Sequence, residues 1–180
     1  MKYTLIVLTL LIALAGVNCL AEQKKDPSIL RYGDGKPDGK RSISGSGETI
    51  KFSLPETGGK VKGIRIHGSR YGEPKPPKED FKIHFLNEDL TETIHTEKAP
   101  YSLPKYGADQ KWMDIKFKQP FEVPQTFWVV LDFNATQTKG VYISYDTSTG
   151  GGNSKMGLPG ESFSDVDFNG DWMVEVSLVK

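Results

Sequence analysis

The sequence predicts an all-β fold, a single antiparallel β-sandwich of jelly-roll type with about eight short strands. Three observations predict it. Apolar residues alternate with period two in short runs rich in β-branched and aromatic side chains. Clusters of Gly, Pro and Asn separate those runs. Beyond residue 21 no segment carries the 3.6-residue apolar stripe that an amphipathic helix needs, which argues against an α/β architecture.

The first segment, residues 1–21 (MKYTLIVLTLLIALAGVNCLA), reads as a secretory signal peptide. Lys2 supplies the positive start, an apolar run follows, and Cys19 and Ala21 are the small residues that flank a cut before Glu22. The expected location is therefore secreted or periplasmic. Two alternatives stand beside it. The run is nearly long enough to serve as an uncleaved anchor, and Cys19 could carry a lipid that tethers the domain to the cell envelope, although Asn18 fits a lipobox poorly. Lipidation at Cys19 is the only membrane attachment expected of a cleaved chain. Residues 22–27 are expected to be a flexible lead-in, and residues 28–180 form the β domain.

Within that domain, residues 28–32 form a short first strand and residues 33–39 (GDGKPDG) a turn, because Gly and Asp tolerate positive φ and Pro fixes it. Residues 49–54 place Ile50, Phe52 and Leu54 on one face. Residues 61–67 point Ile64 and Ile66 inward and Arg65 and His67 outward. Residues 81–85 alternate cleanly. Met113, Ile115 and Phe117 alternate with Trp112, Asp114 and Lys116. Residues 126–133 are apolar on both faces, as in a central strand covered on both sides. Residues 140–145 and 171–179 complete the set. Three connections are long: residues 69–80, rich in proline, residues 97–110, and residues 146–169, rich in glycine.

Charge is balanced, with 23 Lys and Arg against 23 Asp and Glu, so nothing draws a polyanion globally and nucleic acid is not an expected partner. The single cysteine lies in the signal segment. A cleaved chain is therefore held by apolar burial alone, and Cys-ligated zinc and a Cys nucleophile are excluded from it.

The chain carries no nucleophile elbow, no zinc-protease helix motif and no phosphate-binding glycine loop. His67 and His84 fall at outward strand positions and read as surface residues; were their strands neighbours, a metal site would be conceivable. Calcium is the one cofactor that the residues suggest. Asp34 and Asp38 flank one turn, and Asp165, Asp167, Asn169 and Asp171 form an alternating acidic cluster, which is the preferred metal candidate. Ordinary turn chemistry is the simpler explanation of both groups. Trp112 and Trp128 fall out of phase with the core and are candidate stacking platforms for a carbohydrate, whereas Trp172 shares the phase of Val174 and Val176 and belongs to the core. Arg65, Arg70 and Asp146 are expected to supply a buried Arg–Asp pair bracing the glycine-rich loop, with ligand contact as the alternative.

Several segments carry a resemblance. They are Ile64-Arg65-Ile66-His67-Gly68-Ser69-Arg70-Tyr71-Gly72 with Pro76-Pro77-Lys78-Glu79-Asp80-Phe81, then Gly140-Val141-Tyr142 with Tyr145-Asp146, and Ser154-Lys155-Met156-Gly157-Leu158-Pro159-Gly160 with Gly170-Asp171-Trp172-Met173. In this order they resemble an uncharacterised family of secreted bacterial β-sandwich domains. The resemblance implies a jelly-roll-like accessory or binding module rather than an enzyme, and it supplies no catalytic residues. It draws attention to Arg70, Tyr71, Asp146, Ser154 and Trp172 as one group. The function expected from sequence is a non-catalytic extracytoplasmic binding module for polysaccharide or another envelope ligand, with Arg70, Tyr71, Trp112, Trp128, Asp146 and Ser154 as ligand contacts. The alternatives are a glycan-acting hydrolase or lyase built on Asp146, Ser154 and nearby acids, and a structural or protein-binding envelope component.

Overall fold

The computed structural model describes residues 28–180, at 56 and 57 through the backbone alone. The expected signal segment, its Cys19 and the lead-in at 22–27 lie outside the described residues. Among the described residues no helix is long and apolar enough to cross a membrane.

The described residues are all-β and their strand pairs are antiparallel. In order the strands are β1 (Ile29–Leu30), β2 (Gly39–Arg41), β3 (Glu48–Gly72), β4 (Asp80–Leu86), β5 (Thr93–Pro100), β6 (Lys111–Asp132), β7 (Lys139–Asp146), β8 (Ser154–Met156), β9 (Ser164–Asp165), β10 (Asp171–Trp172) and β11 (Val174–Leu178). A 3-10 turn at Thr147–Thr149 follows β7. The described residues thus hold eleven strands rather than about eight, and the reasons differ from strand to strand.

Two pairs of expected strands are each one long strand. β3 runs through both the 49–54 and the 61–67 patterns, and β6 through both the 112–117 and the 126–133 patterns. They pair with each other along their lengths, Glu48 opposite Leu131 at one end and Gly68 opposite Lys111 at the other. The ladder slips register between Ser53 and Gly58 and again between Val61 and Gly63. Pro55, Pro120 and Pro124 lie in or beside these slips, where a missing N–H is tolerated. Each slip divides the ribbon into arms with different neighbours. On one arm β3 also pairs with β8, and β6 with β4, which pairs with β5. On the other, β3 pairs with β11, which pairs with β1, and then with β7.

β5, β8 and β9 fall in segments expected to be loops or not assigned. β5 is an edge strand of mostly polar, exposed or half-buried residues ending in Pro100, so it lacks a two-residue apolar alternation. β8 and β9 are three and two residues long, too short to show any period.

Both arms contribute to one core. Ile50, Phe52, Phe127, Val129, Leu131 and Phe85 from the first join Ile64, Ile66, Met113, Ile115, Val174 and Val176 from the second in a single buried cluster. Trp172 is 1% exposed within it, as its phase requires. The opposite face of the second arm carries Arg65 and His67 on β3 and Trp112, Asp114 and Lys116 on β6; it is open along β6, where Asp114 and Lys116 are exposed and Trp112 half-buried, whereas His67, read from sequence as a surface residue, is buried.

Candidate functional site

The open face gathers the most chemistry. Pairing places Arg65 between Glu175 and Asp114, and His67 beside Trp112. Arg65 spans its neighbours: Nη1 donates to Glu175 Oε2 at 2.9 Å, and Nε stands 3.0 Å from Asp114 Oδ1. Arg31 reaches the other oxygen of Glu175 at 3.8 Å. Charges thus alternate from Arg31, just after β1, across β11, β3 and β6. The Arg65 guanidinium lies 4.8 Å from the centre of the Trp112 indole, inside cation–π range. His67 meets the same indole edge-on at 5.1 Å. Trp112 is therefore held in one orientation while staying half-exposed.

Further along β3, Ser69 faces Tyr142 in register, and Tyr71 contacts the Tyr142 ring at 4.6 Å. Alternation puts residues 67, 69 and 71 on one side of the strand. Trp112, Tyr142 and Tyr71 are all half-buried there, so one face presents a strip of aromatic rings along roughly 13 Å of β3. Tyr71 is anchored by donating from its hydroxyl to the Thr136 carbonyl at 2.7 Å.

His67 Nδ1 stands 2.9 Å from Ser144 Oγ. Burial, with the nearby Arg65 charge, lowers the His67 pKa and favours the neutral imidazole. Ser144 has no exposed surface. The pair therefore braces β3 against β7 and offers no approach to a nucleophile.

The remaining expected contacts are distributed elsewhere. Trp128 does fall opposite the core phase, but it is only 5% exposed. The segment after β8 folds over it, so Trp128 packs with Leu86, Val130, Leu158 and Phe163, and its Nε1 donates to the Glu88 carbonyl at 2.8 Å. Gly157 makes this cover possible: it has φ of 157°, and a Cβ there would stand 2.3 Å from the Phe163 ring. Trp128 is thus corrected from an open platform to the centre of a second, small core.

The expected Arg–Asp146 pair is corrected as well. Asp146 is 1% exposed, and its carboxylate accepts from Ser148 N–H at 2.9 Å, Ser148 Oγ–H at 2.6 Å and Gly35 N–H at 3.0 Å. It caps the 3-10 turn and ties the 33–39 turn to it, without an arginine. Arg70 instead donates to the carbonyls of Glu73 and Pro74, the latter at 2.7 Å, and its guanidinium lies 5.2 Å from the Tyr106 ring. It closes the proline-rich connection onto β3. Ser154 is 5% exposed and its Oγ accepts from Trp172 N–H at 2.9 Å. Asp146, Arg70 and Ser154 therefore hold loops to the sheet.

The acidic cluster does not converge. Asp165 pairs with Lys155 at 2.7 Å, Asp167 with Arg41 at 3.7 Å, and buried Asp171 accepts from the backbone and side-chain amides of Asn153 at 2.9 and 3.0 Å. Asn169 lies beside Gly151. Asp38, in the other acidic turn, accepts from Thr147 N–H and Oγ1–H, both at 2.7 Å. Among the described residues no group of three or more His, Cys, Asp or Glu side chains is placed to hold a metal. The alternating acids that suggested calcium serve as turn and ion-pair partners. His67 and His84 are also separate: His84, on β4, meets Thr96 at 2.9 Å and Asp132 at 3.9 Å.

Of the residues that the sequence singled out, the structure brings Arg65, His67, Tyr71 and Trp112 to one face. Glu175 and Ser144 were missed as members of that face, and Asp114 as the partner of Arg65. Their outward phase was visible; their convergence depends on cross-strand register. Comparison of the chain with protein-family models and with curated proteins finds no match in either.

Proposed function

We propose that this protein is a non-catalytic extracytoplasmic binding module, and that the open face carrying Trp112, Tyr142 and Tyr71 is its platform for polysaccharide. The observation that carries the reading is Trp112. Its indole is oriented by Arg65 and His67, stays half-exposed, and shares its face with two further rings. Flat apolar rings edged by charged hydrogen-bonding groups suit a sugar, which presents C–H groups on its faces and hydroxyls at its rim. The antiparallel all-β fold, with two arms sharing one core, supports the reading of a jelly-roll-type sandwich. The amino-terminal signal pattern and the resemblance to secreted bacterial domains support export.

The test is retention in native gels containing neutral or acidic polysaccharides, comparing the protein with Trp112→Ala. The expected result is retention by at least one glycan class and roughly a tenfold or greater loss of affinity in the variant, about 1.4 kcal/mol or more, with little change in melting temperature. Equal retention of both proteins overturns the platform.

A further inference from the structure

We infer that the groove beside Trp112 selects an anionic sugar, one bearing a carboxylate; this rests on the open face being a glycan platform. The groove encloses about 400 Å³ and is lined by Lys62, Gly63, Arg65, Asp114, Lys116 and Ser177, among others. Gly63 adds no side chain to that lining. A Cβ at Gly63 would stand 2.6 Å from the Ile115 carbonyl oxygen, so the close approach of β3 to β6 at the register slip requires glycine there.

The charge around the groove is unequal, although the chain as a whole is neutral. Arg65 and Arg31 are matched by Asp114 and Glu175. Lys62 and Lys116 are exposed, and among the described residues neither has an acidic partner. The groove is left with two surplus positive charges. Lys116 follows Trp112 by four residues on the same face of β6, about 13 Å along the strand. A glycan with one ring against Trp112 would present later units to Lys62 and Lys116. An ammonium on a flexible stem binds a carboxylate as a mobile point charge, which suits a polymer whose repeat need not match the strand. Such contacts are screened by salt, while stacking on the indole is not.

The experiment is calorimetric titration of the purified protein with a uronic-acid oligomer and with its uncharged methyl ester, at low and at high salt. The inference expects the acid to bind at least tenfold more tightly than the ester at low salt, with the preference shrinking at high salt. It expects Lys62→Gln/Lys116→Gln to abolish the preference while keeping the ester affinity and the melting temperature. Equal affinity for acid and ester, or a preference that the double variant retains, overturns the inference and leaves the platform standing. So does Trp112-dependent retention of a neutral polysaccharide without uronate binding. Failure to bind any glycan overturns both.

Discussion

Glu48 opens β3 with its carboxyl in the interior, 1% exposed, between Leu131 and Met156 on the flanking strands. It accepts the Ile43 N–H at 3.0 Å and so holds the segment between β2 and β3. Burial pushes its pKa from 4.5 up to about 8; the N–H groups of Ile43 and of Glu48 itself oppose this, and the nearby Asp132 adds to it. The folded protein thus keeps a proton that the unfolded chain releases. That contribution to stability is fully present below pH 4.5 and is lost as pH rises to about 8. In urea denaturation the protein should lose stability between pH 5 and 9 relative to Glu48→Gln, by about 2–4 kcal/mol. Parallel pH profiles would refute this. Asp146 has the opposite sign. Burial would raise its carboxyl, but hydrogen bonds from Ser148 and from the Gly35 N–H outweigh burial and hold it below the usual range. Its contribution is present above that range and lost as pH falls.

At the scale of elements, the two long strands explain most of the difference between expectation and structure. The apolar phases on each side of residues 55–60 and 118–125 were legible, because alternation depends only on neighbours two residues apart. That each pair of phases belongs to one strand was not legible, since Pro55 and Pro124 read locally as breaks and only the partner strand shows that pairing resumes. Trp128 teaches the same lesson. The outward phase was right, and the cover by Leu158 and Phe163 comes from a segment roughly thirty residues away in sequence. Trp128→Ala should therefore destabilise the protein by about 3–5 kcal/mol, the usual cost of emptying a buried aromatic site. Glycan retention at a temperature where the variant stays folded should not change. A stability loss below about 1 kcal/mol would show the second core to be loosely packed.

At the scale of the molecule, one buried cluster joins both arms, so neither arm can keep its core alone. The chain should unfold in a single transition, with intrinsic fluorescence and far-ultraviolet circular dichroism reporting the same midpoint. Two separated midpoints would show that the arms are independent.

The sequence by itself determined the β class, the phases within β3, β4 and β6, the core position of Trp172 and the outward position of Trp112. These follow from local alternation, which solvent and core impose on each strand separately. Tertiary structure alone decided which outward residues share a face, which of them another segment covers, and which acids find a cation or an amide. Strand register sets those pairings, and it joins residues as distant as Arg65 and Glu175, which no local pattern can connect.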